Sequence, residues 1–139
     1  MKLKLHLWEL DPQGFHPVIK ATLYGQPVWM LVDTGANHIC FDRTFIESVC
    51  LEDAAEIARD DVNVAIGGEI DVHISKVNGL KIGNMRFPDL LARLLDLQQV
   101  NEMYEQVGFK PIRGILGGDF LKGHRAVIDY ATQTLILHR

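Results

Sequence analysis

A chain of 139 residues fits one domain, 1–139, and is long enough to bury roughly two-thirds of its unfolded surface without a disulfide or metal staple. It is 47% apolar with a net charge of −4, a balance that argues against nucleic acid as its main partner. Its apolar runs are far shorter than the roughly 20 residues of a membrane helix, its opening Met1-Lys2-Leu3-Lys4 lacks the apolar centre of a signal peptide, and Cys40 and Cys50 are its only cysteines, so a cytoplasmic protein with reduced thiols, no membrane partner and no cofactor is expected.

From the N-terminus, Leu3, Leu5 and Leu7 alternate with charged residues or His, the period of a half-buried strand. Asp11 to Gly14 reads as a turn, His16 to Leu23 as a second strand, and Gly25-Gln26-Pro27 as a hairpin turn. Val28 to Val32 is a continuous apolar run, the signature of a strand covered on both faces. Ile39 to Phe41 is a short strand. Asp42 follows as the cap of a brief helix through Val49, with Phe45, Ile46 and Val49 on one side. Glu52 to Asp60 reads as a helical turn or a surface loop. Val62, Val64 and Ile66 alternate up to Gly67-Gly68, and Ile70, Val72 and Ile74 alternate away from it, the pattern of a hairpin.

Val77 to Ile82 reads as one strand, Gly83-Asn84 as a turn and Met85 to Phe87 as the return strand. Leu90 to Leu97 is apolar without a deciding period, and strand is expected to Leu95. Asp96 then caps a helix from Leu97 to Val107, with Val100, Met103, Tyr104 and Val107 as its apolar stripe and Gly108 as its stop. Ala126 to Asp129 and Thr134 to Leu137 close the chain as a hairpin. Many short strands with one or two brief helices imply a small, closed, mostly antiparallel β-barrel.

Two stretches carry chemistry. The Val28–Val32 strand runs straight into Asp33-Thr34-Gly35-Ala36, which sets one carboxyl group at a strand end near the core, on a loop that Gly35 allows to turn sharply. Some eighty residues later comes Ile115-Leu116-Gly117-Gly118-Asp119-Phe120-Leu121. An apolar strand into Asp-Thr-Gly-Ala followed by Ile-Leu-Gly-x-Asp-x-Leu resembles the retropepsin-like aspartic proteases, the single-domain relatives of pepsin. The resemblance implies that Asp33 is catalytic, that Thr34 locks the two catalytic loops together across a homodimer, and that Gly35 and Ala36 complete the active-site loop. It implies that Ile115, Leu116 and Gly117 pack behind that loop, ahead of a short helix from Gly118 to Lys122. It assigns Ile66, Gly67, Gly68 and Glu69 to the flap, a mobile hairpin that closes over a peptide or protein substrate.

Hydrolysis by carboxylates needs two of them sharing one proton. The chain has one Asp-Thr-Gly, and Asp119 and Asp129 lack an apolar strand and glycine loop around them. A twofold homodimer would supply Asp33 twice, and the monomer is expected to be inactive. Retroviral enzymes commonly carry Asp after the Ala and Arg after Ile-x-Gly; Asn37 and Gly118 stand here, so the resemblance implies a different brace. Ala36 replaces the Ser of pepsin-like proteins, whose hydroxyl would favour the ionised carboxylate, and implies a dyad working at milder pH. In the retroviral relatives the chain termini interleave between subunits; here Leu3, Leu5, Leu7, Leu135 and Leu137 are the candidates, with pairing inside one barrel as the alternative.

Other constellations are weaker. His38, Cys40 and Cys50 lack the spacing of a four-ligand zinc site. Gly114 to Gly118 is not followed by Gly-Lys-Ser/Thr, so it is not a phosphate loop. Trp8 and Trp29 fall in strand patterns and read as core or interface. Two alternatives to an endopeptidase stay open: a catalytically silent domain binding extended peptides by strand addition, and a dimerisation module.

Overall fold

The computed structural model describes residues 1–50 and 73–139. In chain order these form β1 (Lys2–Lys4), β2 (His6–Asp11), β3 (Gly14–Leu23), β4 (Gln26–Val32), β5 (Cys40–Asp42) and α1 (Arg43–Val49). There follow β6 (His73–Val77), β7 (Leu80–Ile82), β8 (Met85–Phe87), β9 (Leu90–Leu95), α2 (Gln98–Gln106), β10 (Ile112–Leu116), α3 (Gly118–Gly123), β11 (Val127–Asp129) and β12 (Thr134–Ile136). The stretch Glu52 to Asp60 and the glycine hairpin with Ile66, Gly67, Gly68 and Glu69 lie outside the described residues.

The main sheet runs β6-β9-β5-β10-β4-β3-β7-β8, with β2 added on β3. β3 pairs with β4 along one edge; along the other it takes β2 over its first half and β7 at Thr22 and Leu23. Among the described residues β6 and β8, the ends of this path, do not pair. The sheet is therefore a curled, open half-barrel rather than the expected closed barrel. Nor is it wholly antiparallel: β10 pairs parallel with β4, and β5 parallel with β9. The cause is a threading that period-2 patterns cannot reveal. β10 enters between the successive strands β4 and β5, so the connection 33–39 must pass over its end.

A second, three-stranded sheet has the order β1-β12-β11. Lys2 faces Ile136, Leu3 faces Leu135 and Lys4 faces Thr134 within the same chain. The terminal strands considered for interleaving between subunits thus already pair with each other.

Apolar side chains divide into two clusters. The larger contains Val28, Met30 and Val32 of β4 together with Ile19, Phe41, Leu80, Leu94, Leu116 and Leu135. The smaller gathers Trp8, Val18, Leu97, Tyr104 and Ile112, with Trp29, Leu31 and Ile115 packed against it. β4 is therefore covered on both faces.

Three local expectations are corrected. Val77 to Ile82 is two strands, broken at Asn78-Gly79. The Gly79 carbonyl accepts the Tyr24 N–H at 2.9 Å, and a Cβ on Gly79 would collide with the Tyr24 ring. Asp42 does not cap α1 with its side chain; it is 5% exposed and accepts from Arg113 Nη1 at 3.0 Å. On α2, Met103 and Val107 are 43% and 45% exposed, while Asn101 and Tyr104 are buried. Asn101 can be buried because its amide accepts the Ile112 N–H at 2.8 Å and donates to the Ile112 carbonyl at 3.0 Å, satisfying both ends. Asp96 does serve α2, its Oδ1 accepting the Gln98 N–H at 2.9 Å.

Candidate active site

Asp33 is the first residue beyond β4, and β10 holds it there. Its N–H donates to the Leu116 carbonyl at 3.1 Å, extending the parallel β4–β10 pairing by one bond. The loop then folds on itself: the Ala36 N–H donates to the Asp33 carbonyl at 3.2 Å, and the Gly35 N–H to Asp33 Oδ1 at 2.9 Å. One carboxylate oxygen is thus fixed by its own loop. Oδ2 has no hydrogen-bond partner among the described residues. Asp33 and Ala36 are half-buried, while Thr34 and Gly35 are exposed.

The far side of the loop is fastened to the start of α3. The Gly118 N–H donates to the Ala36 carbonyl at 2.7 Å and the Asp119 N–H to the Asn37 carbonyl at 3.1 Å. Leu116 lies in the larger cluster and Ile115 against the smaller one. Gly117 is required for contact. A Cβ there would lie 2.5 Å from the carbonyl carbon and oxygen of His38, closer than real Cβ atoms come. Gly114 is hemmed in likewise, by the Met30 and Phe41 side chains and the Cys40 carbonyl.

Asp119 and Asp129, weighed as a second carboxylate, are occupied elsewhere. Asp119 Oδ1 accepts the N–H groups of Ile39 at 2.8 Å and Phe120 at 2.6 Å, and Oδ2 lies 3.4 Å from His38 Nδ1. It clamps the returning end of the loop to α3. Asp129 accepts from Thr132 and Ala131 in its own turn, and the Thr132 bonds hold its carboxyl below the usual carboxylate range. The clamp role of Asp119 was missed from sequence, although its two-residue spacing from Gly117 was in view; only the threading of β10 brings it to Ile39.

Burial, then the charge of nearby Asp33, pushes the Cys40 thiol up to about 12. A thiol so placed stays protonated and is not a nucleophile at neutral pH. Neither cysteine forms a disulfide, and both are buried. Beside Asp33 opens a cleft of about 370 Å³ lined by Pro17, Val32, Asp33, Thr34, Ile128 and Tyr130. Tyr130, 52% exposed, extends from the end of β11.

A family model described as aspartyl protease matches residues 19–120, most of the chain, with the Asp33 loop and the second motif stretch through Phe120. Among solved structures, the retroviral protease-like domain of Ddi1 from Leishmania major superposes with a TM-score of 0.60 at 18% identity, covering 86% of each chain. A retropepsin-like aspartic protease from Rickettsia conorii superposes with a TM-score of 0.60 at 17% identity, covering 99% of this chain and 88% of that one. At such identities the superpositions speak for the fold. Among curated protein sequences none matches. With the matched span running from β3 through the Asp33 loop to the start of α3, the chain belongs to the aspartyl protease family.

Proposed function

We propose that the chain is an aspartic endopeptidase whose active form is a twofold homodimer, with the two Asp33 carboxylates sharing one proton. The observation that carries this reading is the loop geometry. Asp33 ends a rigid strand, one oxygen is fixed by the Gly35 N–H at 2.9 Å, and the other has no partner among the described residues. A lone carboxylate cannot be both base and acid, and Asp119 and Asp129 are committed to backbone N–H groups. A second copy would supply the missing group. Thr34 and Tyr130 are exposed beside Asp33, and β11 ends its sheet with one edge unpaired among the described residues. These features suit a symmetric contact close to the carboxylates. In the dyad, the ionised Asp33 draws a proton from a water that attacks the scissile carbonyl, and its protonated twin supports the developing oxyanion.

The test is a digest of mixed peptides between pH 4 and 7.5 by the wild type and Asp33→Asn, with and without pepstatin, alongside sedimentation. Cleavage that requires Asp33 and follows the dimer fraction supports the reading. Peptide binding without Asp33-dependent cleavage would instead establish a silent peptide-binding domain.

A further inference from the structure

The smaller cluster includes the rings of Trp8, Trp29, Tyr104 and Phe109, and two polar atoms meet at its edge. Tyr104 of α2 is wholly buried, and its hydroxyl lies 2.8 Å from Nδ1 of His16 on β3. The rings meet edge to face, with centroids 5.6 Å apart, and Trp8 packs on Tyr104 in the same way.

Register relates this pair to the candidate active site. β3 and β4 pair Ile19 with Met30 and Val18 with Leu31. The ladder ends at that pair; the same register carried two residues further would set His16 level with Asp33, whose charge reaches Tyr104. Side chains alternate along a strand, so His16 lies on the face of Val18, and Asp33 on the face of Leu31. Val18 and Leu31 both belong to the smaller cluster, so His16 and Asp33 share its side of the sheet. The edge of His16 away from β4 is already taken by Trp8 of β2.

Tyr104 determines which ring nitrogen of His16 is offered. Burial and then the Asp33 charge push the phenol up to about 12, so it keeps its proton and can donate to Nδ1. A neutral ring accepting at Nδ1 carries its proton on Nε2, and a protonated ring has one there as well. Nε2 has no partner among the described residues, and His16 as a whole is half-buried.

We infer that His16, oriented by Tyr104, is a substrate-binding residue of the proposed protease, donating its Nε2–H to an acceptor side chain of the peptide, such as Gln or Glu, close to the scissile bond. This rests on Asp33 being the site of cleavage. His16 confers preference, and Tyr104 is a positioning residue acting through it.

The experiment uses fluorescent peptides in which each position is in turn Gln or the similarly sized, acceptor-poor Met. Binding is measured by anisotropy to Asp33→Asn and to the same chain with His16→Phe, His16→Gln or Tyr104→Phe. At one position Gln should be bound roughly five- to tenfold more tightly than Met, the worth of one hydrogen bond. His16→Phe should erase that preference, His16→Gln should restore part of it, and Tyr104→Phe should weaken it. In the cleaving protein the Gln-over-Met preference should appear in kcat/KM, and His16→Phe should erase it there as well. A preference that survives His16→Phe, an equal loss across all peptides, or the absence of peptide binding overturns the inference. Binding preferences that follow His16 without Asp33-dependent cleavage would instead defeat the protease reading and leave the binding role standing.

Discussion

The two faces of β4 are built from different chemistry. Towards the larger cluster it presents Val28, Met30 and Val32, all buried among aliphatic neighbours. Towards the smaller it presents half-buried Trp29 and Leu31, and the next position in that alternation is Asp33. The first face is closed by aliphatic side chains; the second ends in a carboxylate and packs against the cluster that holds Tyr104. A carboxylate can be held in a defined place at a strand end because the opposite face of the same strand is locked. Aliphatic packing and the candidate site are thus separated by the thickness of one strand, and substitutions on the two faces should fail in different ways.

The largest effect should come from the end of the polar face. Asp33→Asn is isosteric but cannot act as a base, so peptide cleavage should fall below detection while circular dichroism and sedimentation are unchanged. Retention of more than a few per cent of the rate would remove Asp33 from the mechanism.

On the aliphatic face, Met30→Ala leaves a cavity in the larger cluster and should cost about 2–5 kcal/mol in urea unfolding. Activity per folded molecule should persist. If instead cleavage collapses at unchanged stability, the division between the faces is wrong.

A smaller loss is expected where the loop is clamped. Asp119→Ala strips the acceptor from the Ile39 and Phe120 N–H groups, and unsatisfied buried donors cost about 1–3 kcal/mol. Unlike Met30→Ala, it should lower kcat more than the stability loss explains, because the loop carrying Asp33 is loosened. Comparing the two variants at matched folded fraction is the measurement.

The mildest effect concerns alkaline pH. Cys40 is raised from 9.0 and Tyr104 from 10.0, each to about 12 in the folded chain. The folded state therefore holds protons that the unfolded chain gives up. Their contribution is fully present below pH 9 and is lost as pH rises through 12. Urea midpoints should fall across that window, and Tyr104→Phe should flatten its upper part. A midpoint independent of pH from 9 to 12 would show that neither group is held as described.

Much of the architecture follows from local pattern. The β3–β4 hairpin, the strand to Leu95, the helix after Asp96 and the final hairpin were legible because period, turn residues and caps act over a few residues. The stop at Gly108 is likewise local, with a φ of +87° that glycine adopts without strain. The Asp33 loop and the Ile115-Leu116-Gly117 stretch were legible as motifs. Their contact was not derivable from spacing, since nothing local says that β10 inserts between β4 and β5. The apolar stripe on α2 misled because burial of Asn101 depends on meeting the Ile112 backbone, a partner that no helical period reveals.

Sequence by itself determined the strand-rich character and the single Asp-Thr-Gly, because these depend on residue identity and short-range period. Only the tertiary structure decided that the half-barrel is open among the described residues, that the terminal strands pair within one chain, that Asp119 clamps the loop, and that Tyr104 meets His16. Each of these is a contact between residues far apart along the chain, and such contacts are selected by packing and register rather than by any local preference.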